Sequence, residues 1–128
     1  MSSLPAPPAT ILVVDDDVEI LRMVAGFLKD LGFAVQEAQS PFEALLILSQ
    51  LQGRIDMLLT DLDLGTALGT ELAAQLLVAK PSLKVLVVSG RVGLGDTLSF
   101  ENHRFPCLRK PFTRTELQKR IQDVLGTP

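Results

Sequence analysis

Strand-length runs of apolar residues recur five times along this chain and constrain its fold more than any other feature. Roughly four to eight consecutive apolar residues are typical of a strand buried on both faces, as in a parallel sheet. The segments between these runs carry apolar residues at helical spacing, for example Val18, Leu21, Val24 and Leu28. The predicted strands are Thr10–Val14, Phe33–Ala38, Asp56–Thr60, Lys84–Val88 and Phe105–Arg109. The alternation of the two patterns predicts an α/β protein.

Short connections and right-handed crossovers between these elements predict a doubly wound sheet of the flavodoxin-like class. We expect five parallel strands in the order 2-1-3-4-5 and about five helices. The segment Arg91–Arg104 is the least regular, and only Leu94, Leu98 and Phe100 indicate a short or irregular fourth helix there. Strands 1 and 3 flank the point where the strand order reverses, which is where such sheets bind ligands.

Length and composition indicate a single domain. A chain of 128 residues with 47% hydrophobic residues can bury one core without disulfides. We expect a mobile, proline-rich tail over residues 1–9 and one domain over residues 10–126, with no output domain.

Charge and hydropathy limit the partners of this domain. The net charge of −3 argues against nucleic acid as a partner. No apolar run reaches the roughly 18 residues that span a bilayer, so we expect no membrane contact. The lone Cys107 and the lack of a secretory signal favour the cytoplasm.

Polar residues stand directly after four of the predicted strands. Asp15 and Asp16 follow the first strand, Asp61 the third, Ser89 the fourth and Lys110 the fifth. Because the carboxyl ends of parallel strands meet at one edge of the sheet, we expect these side chains in one pocket. Each residue alone is compatible with a turn or a helix cap. Their occurrence together at four strand ends favours a functional site.

The residue types in this pocket indicate phosphoryl chemistry. Three carboxylates within a few ångströms repel one another, by about 4 kcal/mol per pair at 4 Å and an effective dielectric constant of about 20. Mg²⁺ offsets such repulsion because it prefers carboxylate, water and phosphate oxygens as ligands. A carboxylate can also accept a phosphoryl group, and this transfer mainly needs positioning and neutralisation of the phosphoryl oxygens. Mg²⁺, the Lys110 ammonium and the Ser89 hydroxyl are suited to that task.

In combination and in this order, the motifs resemble the response-regulator receiver domain of two-component signalling. The resemblance covers about Thr10 to Leu125. Its motifs are Val13-Val14-Asp15-Asp16-Asp17, the apolar segment from Asp56 to Asp61, Val87-Val88-Ser89-Gly90 and Lys110-Pro111-Phe112. The chain is most similar to receivers attached to hybrid sensor histidine kinases, and a single-domain receiver is the alternative.

The resemblance implies a role for each residue at the strand ends. Asp61 is expected to be the phosphoacceptor, Ser89 the hydroxyl that turns toward the phosphoryl group, and Lys110 the counter-charge. The implied donor is a phosphohistidine on a sensor histidine kinase or a histidine phosphotransfer protein. Phosphorylation is expected to switch the conformation and so control the binding of a downstream protein, whose identity the sequence does not specify.

The resemblance also implies a magnesium site. The side chains of Asp16 and Asp61 and the backbone carbonyl of Asp63 are expected to bind the ion, with Asp15 acting through water.

Three features depart from the family pattern. Asp63 lies in a loop where the family often has Met-Pro, and we interpret it as a solvated loop residue rather than a fourth carboxylate of the pocket. Cys107 replaces the Tyr or Phe that usually swings inward when the hydroxyl moves, so the switch is expected to differ at Ser89 and Cys107. A buried, unreactive cysteine is the expected state. The irregular fourth helix is the third departure.

Two other functions compete with a phosphorylated receiver. A pseudo-receiver binds partners without being phosphorylated. The acidic pair, Asp61, Ser89 and Lys110 argue against it, whereas Cys107 and the weak fourth helix are compatible with it. The pair Asp61 and Asp63 also matches the Asp-x-Asp motif of aspartyl-phosphate hydrolases, although that family usually carries the motif on its first strand. We expect no enzyme activity beyond the domain's own phosphorylation and dephosphorylation. His103 is interpreted as a solvated loop residue, and no second histidine supports a metal cluster.

Overall fold

The computed structural model describes residues 8–91 and 95–126, so the tail expected over residues 1–9 lies almost wholly outside the described residues. The strands are β1 (Thr10–Val14), β2 (Ala34–Ala38), β3 (Met57–Asp61), β4 (Lys84–Ser89), β5 (Thr97–Phe100) and β6 (His103–Arg109). The helices in these ranges are α1 (Val18–Asp30), α2 (Pro41–Gln50), α3 (Gly69–Ala79) and α4 (Arg114–Leu125). None of these helices is both long enough and apolar enough to cross a membrane.

The sheet confirms the predicted doubly wound α/β class. Its order is β2-β1-β3-β4-β6-β5, and every pair is parallel except β5 with β6. The five parallel strands therefore follow the predicted order 2-1-3-4-5, with β6 in the fifth place. The register pairs Val14 with Thr60 and Asp61 with Val88, so β1, β3 and β4 end nearly level. The residues that follow these strands consequently lie along one edge of the sheet.

The segment between β4 and β6 differs from the expectation of a short fourth helix. Its described residues form β5, an antiparallel strand that adds a sixth member to the sheet. Leu98 and Phe100 are half-buried against the core, whereas the residues between and before them are exposed. This period of two belongs to a strand. The four-residue spacing of Leu94 and Leu98 had indicated a helix, and Leu94 lies outside the described residues.

Apolar residues cover both faces of the sheet, which explains the continuous apolar runs. In β1, Ile11 and Val13 pack with residues of α1 and α4, while Leu12 and Val14 pack with residues of α2 and α3. All four side chains are buried. Full burial of an aliphatic side chain of this size contributes about 1.5–3 kcal/mol. The two layers hold the strand ends in fixed relative positions.

Side chains cap the starts of α1 and α4. The Asp17 carboxylate accepts hydrogen bonds from the N–H groups of Glu19 and Ile20, at 3.0 and 3.3 Å. Thr113 and Glu116 form a reciprocal capping box, in which the hydroxyl and the carboxylate each accept a hydrogen bond from the other residue's N–H at 3.0 Å. These caps satisfy N–H groups that have no partner within the helix. They also fix where the chain turns away from the edge of the sheet.

Candidate functional site

Three carboxylates meet where β1 and β3 end. One oxygen atom from each of Asp15, Asp16 and Asp61 lies within 4.8 Å of the others. Asp15 is only 5% exposed, Asp61 is half-buried and Asp16 is exposed. The cluster is therefore closed on the Asp15 side and open to solvent on the Asp16 side. The structure thus brings together the three carboxylates that the sequence pattern had grouped.

Lys110 supplies positive charge on the buried side of this cluster. Its Nζ lies 3.4 Å from Asp61 Oδ2 and 3.6 Å from Asp15 Oδ2. Its backbone N–H donates to the Ser89 carbonyl at 2.8 Å, which ties the end of β6 to the end of β4. One ammonium against three ionised carboxylates leaves the group two charges negative. A divalent cation would balance that remainder.

Burial raises the pKa of both carboxyl groups that Lys110 contacts. For Asp61, the Lys110 ammonium acts in the opposite direction and the neighbouring Asp15 charge adds to the increase in pKa. For Asp15, the pKa increase from burial is opposed first by the Asp17 N–H, which lies 2.9 Å from Oδ1, and then by Lys110. The ionised cluster is thus unfavourable in this protein alone, and a bound cation would favour it.

The donor set fits a hard divalent cation such as Mg²⁺, because all its atoms are oxygens. Asp63 pairs with Leu68 in an isolated antiparallel bridge whose hydrogen bonds run between the flanking residues. Both backbone groups of Asp63 therefore point away from Leu68, and the Asp63 N–H lowers the pKa of the Asp61 carboxyl group. In extended backbone the carbonyl of a residue points to the same side as its N–H, so the Asp63 carbonyl also points away from Leu68. This carbonyl is the backbone ligand that the resemblance implies.

Ser89 lies at the end of β4 and is almost completely buried. It follows Val88, the register partner of Asp61, so the hydroxyl is next to the strand that carries the acceptor. Its Oγ accepts a hydrogen bond from the Arg91 backbone N–H at 3.1 Å. The serine hydroxyl is thus held by the loop that follows its own strand.

Cys107 lies in the core of the sheet, as expected. It pairs with Val87 across the β4–β6 boundary and is only 4% exposed. Burial raises the pKa of its thiol, and the Arg120 charge opposes this increase without reversing it. A thiol with a raised pKa carries little thiolate at neutral pH and is a poor nucleophile.

The Asp63 carboxylate is directed away from the cluster and toward Arg91. The Asp63 Oδ1–Arg91 Nη2 distance is 2.5 Å and the Oδ2–Nε distance is 3.2 Å. The guanidinium lowers the pKa of Asp63, and the carboxylate is more than half exposed. This agrees with the interpretation of Asp63 as a loop residue outside the pocket. Sequence reasoning did not identify Arg91, although the two opposite charges stand at the same offset after Asp61 and Ser89.

Gly69 is a second residue that sequence reasoning did not single out for the site. It begins α3 directly over the end of β3, where its N–H donates to the Leu62 carbonyl at 2.7 Å. A Cβ at this position would lie 2.2 Å from the Asp61 carbonyl oxygen and 2.9 Å from Thr60 Oγ1. The only available signal was a glycine in the loop after the acceptor, and glycine also occurs in ordinary turns.

The interpretation of His103 as a solvated loop residue was wrong. His103 is the first residue of β6, it is half-buried, and its ring stacks on Phe105 with a centroid distance of 5.3 Å. The start of β6 is the opposite end of that strand from Lys110, so His103 has no part in the pocket.

Known proteins resemble this chain over nearly its whole length. The family model of the response regulator receiver domain matches residues 11–122. Transcriptional regulatory protein GlrR of Escherichia coli (strain K12) is 28% identical over 119 residues, which cover 92% of this chain and 26% of that protein. Sensor kinase CckA of Brucella abortus (strain 2308) is 29% identical over 118 residues, which cover 91% of this chain and 12% of that protein.

A solved structure shows the same fold. The crystal structure of a response regulator receiver domain protein from Clostridium thermocellum superimposes with a TM-score of 0.78 at 27% sequence identity, covering 92% of this chain and 94% of that one. The chain spans about a quarter or less of the length of the two curated relatives. The family model nevertheless includes every strand-end residue discussed above, from Asp15 to Lys110. The chain belongs to the response regulator receiver domain family.

Proposed function

We propose that this domain accepts a phosphoryl group on Asp61 from a phosphohistidine of a sensor histidine kinase or a histidine phosphotransfer protein. The observation that carries the proposal is the setting of the Asp61 carboxylate. Its side chain is 13% exposed, and Oδ2 lies 3.4 Å from the Lys110 ammonium. Its oxygen also lies within 4.8 Å of those of Asp15 and Asp16. A carboxylate with this access and counter-charge can act as a nucleophile toward phosphorus.

The transfer exchanges one bond to phosphorus for another. An Asp61 oxygen forms a bond to phosphorus while the phosphorus–nitrogen bond of the phosphohistidine breaks. The electron pair of that bond stays on the imidazole, which leaves as the neutral ring when its other nitrogen carries a proton. The ionised Asp61 is the nucleophile, because the oxygen atoms of a protonated carboxyl group donate their lone pairs too weakly. The Lys110 ammonium favours the ionised form. The same ammonium can then stabilise the negative charge of the acyl phosphate.

We propose that the domain binds Mg²⁺ through the side chains of Asp16 and Asp61 and the carbonyl of Asp63, with Asp15 acting through water. The oxygen-only donor set and the direction of the Asp63 backbone support this assignment. When bound, the ion supplies charge neutralisation for the carboxylates and the phosphoryl oxygens. The protein's own contribution is to hold these oxygens together at the sheet edge despite their mutual repulsion.

The output of the domain is a change of conformation that controls the binding of a downstream protein. Ser89 is the switch hydroxyl in this proposal, because it lies beside the acceptor strand and, within residues 8–91 and 95–126, its Oγ bonds to a single backbone N–H. Cys107 is too small to transmit the change through a large side-chain rotation. The proposed location is the cytoplasm, where a thiol such as that of Cys107 stays reduced.

The proposed function is a switch rather than an enzyme that turns over a separate substrate. In an aspartyl-phosphate hydrolase, Asp63 would serve as the general acid. The Arg91 guanidinium lowers the pKa of Asp63 and keeps it ionised, which disfavours that role. A pseudo-receiver lacks the residues for phosphorylation, whereas this chain carries Asp61, Ser89 and Lys110 at the ends of neighbouring strands, which supports the phosphorylated receiver.

Intact-mass measurement after incubation with acetyl phosphate tests the proposal. Wild type is expected to gain one phosphoryl group in the presence of Mg²⁺, and to gain far less when a chelator replaces the ion. Asp61→Asn is expected to gain none. Asp30→Asn is the matched control, since it makes the same chemical change at an exposed residue of α1 that pairs with Arg114.

Asp30→Asn is expected to be phosphorylated like wild type. Equal labelling of Asp61→Asn and wild type would overturn the acceptor assignment. Failure of folded wild type to react with acetyl phosphate or with any phosphorylated kinase or phosphotransfer protein tested would favour the pseudo-receiver.

A further inference from the structure

Asp63 and Arg91 each lie two residues after a reactive residue of this site, Asp61 and Ser89 respectively. The Arg91 N–H donates to Ser89 Oγ at 3.1 Å. The side chains of Asp63 and Arg91 are bonded to each other. A continuous series of contacts therefore runs from Asp63, in the loop after the acceptor, through Arg91 to the switch hydroxyl.

The contact between the two side chains is bidentate. Arg91 donates from Nη2 to Asp63 Oδ1 at 2.5 Å and from Nε to Oδ2 at 3.2 Å. Two parallel hydrogen bonds fix the orientation of a guanidinium as well as its distance. Arg91 is thereby attached at its side chain to the loop after β3, while its backbone remains attached to the end of β4. The residue is held at both ends.

We propose that the Asp63–Arg91 ion pair is a strap that keeps Ser89 in its resting position, and that Arg91 is a positioning residue of the switch. The inference rests on the proposed function. For Ser89 Oγ to turn toward a phosphoryl group on Asp61, its hydrogen bond with the Arg91 N–H must break. Anchoring the Arg91 side chain restrains the backbone that carries this N–H, and so disfavours the turn.

The exposure of the pair suits a strap that must open. Both side chains are more than half exposed, and such pairs hold little free energy because water screens them. Loss of the pair is therefore expected to change the opening equilibrium at Ser89 by about two- to fivefold. A larger effect would require a buried contact, and a buried contact would oppose release.

Two single substitutions distinguish the loss of the strap from the electrostatic effect of removing one charge. Asp63→Ala removes a negative charge beside the site and Arg91→Ala removes a positive one, so their electrostatic effects have opposite signs. Both break the strap. The measured quantity is the hydrogen-exchange rate of the residue 91 amide, by NMR, in metal-free unphosphorylated protein, corrected for the intrinsic rate of each sequence. The strap predicts a two- to fivefold faster rate in both variants.

The reversed pair provides the rescue. Asp63→Arg combined with Arg91→Asp restores an ion pair of opposite direction, and the exchange rate is expected to return toward that of wild type. Asp30→Ala and Arg114→Ala are matched controls, because they make the same charge changes at an exposed ion pair on α1 and α4. They are expected to leave the residue 91 amide unchanged.

If the exchange rate of the residue 91 amide changed in opposite directions in the two single variants, the strap proposal would be overturned. The electrostatic effect of each charge would then be the explanation. Unchanged exchange in both, or no rescue by the reversed pair, would also overturn it. Because no phosphodonor is present, these results do not depend on whether Asp61 is phosphorylated. The intact-mass experiment tests that separately.

Discussion

Single atoms limit what the acceptor loop tolerates, and Gly69 is the clearest case. The chain must pass from Asp61 through a short loop into α3, and α3 begins in contact with the backbone of the acceptor itself. The Asp61 carbonyl oxygen lies only 2.2 Å from the position that a Cβ of residue 69 would take. The start of this helix can approach the acceptor only because residue 69 has no side chain.

Gly69→Ala is expected to lower the free energy of unfolding by about 1–3 kcal/mol, because the added methyl forces backbone rather than a flexible side chain to move. Urea denaturation monitored by circular dichroism measures this change. Gly26→Ala is the control, since a Cβ there meets nothing within 4 Å and the residue lies inside α1.

In α1, alanine is expected to raise the free energy of unfolding by about 0.5–1 kcal/mol through its higher helix propensity. Unchanged stability of Gly69→Ala would show that the start of α3 can shift without cost.

At the scale of elements, the β5–β6 hairpin lies where the sequence had predicted a short fourth helix, and a side chain of α4 forms hydrogen bonds with it. The Arg120 guanidinium donates from Nη2 to the carbonyl of Asp96 at 3.1 Å and to the carbonyl of Cys107 at 3.0 Å. The Cys107 N–H donates to the same Asp96 carbonyl at 2.7 Å. One side chain of α4 thus closes the open end of the hairpin, next to the switch position Cys107.

Arg120→Met is expected to lower the free energy of unfolding by about 1–2 kcal/mol, because it keeps an aliphatic stem but removes the donors for two carbonyls. Hydrogen exchange of the β5 and β6 amides is expected to accelerate more than that of β1 and β3. Lys119→Met, a neighbouring exposed position on α4, serves as the control and is expected to leave these amides unchanged. Equal acceleration in all strands would indicate global destabilisation and refute a local attachment.

At the scale of the whole molecule, the carboxylate cluster links stability to pH. Burial raises the pKa of Asp61 in the folded protein above its ordinary value of 3.8. A carboxyl group whose pKa is raised in the folded protein destabilises the fold when it is ionised. This destabilisation is fully present at pH values above the folded-state pKa. The destabilisation disappears as pH falls below the unfolded value, because both states are then protonated. The metal-free protein therefore carries an electrostatic cost at neutral pH.

Asp61→Asn is accordingly expected to raise the free energy of unfolding at pH 7 by on the order of 1 kcal/mol. The gain should shrink as pH falls toward the ordinary value of 3.8 for the carboxyl group. Urea titrations in the presence of a chelator, between neutral pH and about pH 4, measure the gain at pH 7 and its decrease at lower pH. A variant less stable than wild type at pH 7, or a gain independent of pH, would contradict the sign of the pKa shift.

The sequence by itself determined the sheet, most of the strand order and the grouping of the site residues. Apolar runs in β1 and β4 are buried on both faces, and only a sheet covered by helices on two sides accommodates them. Once the strands are parallel, their carboxyl ends share an edge, so Asp15, Asp61 and Lys110 must be neighbours. The capping residues Asp17 and Thr113 were also readable, because a cap depends on neighbours within a few positions in sequence.

The tertiary structure alone decided the hairpin at β5, the strand position of His103, the Asp63–Arg91 pair and the contact at Gly69. The segment before β6 is too short for its periodicity to separate a helix from a strand, and pairing with β6 settled the choice. The other three depend on where side chains and backbone from distant segments meet. Local pattern carries periodicity and capping, whereas the distance between two loops is set only when the whole sheet has packed.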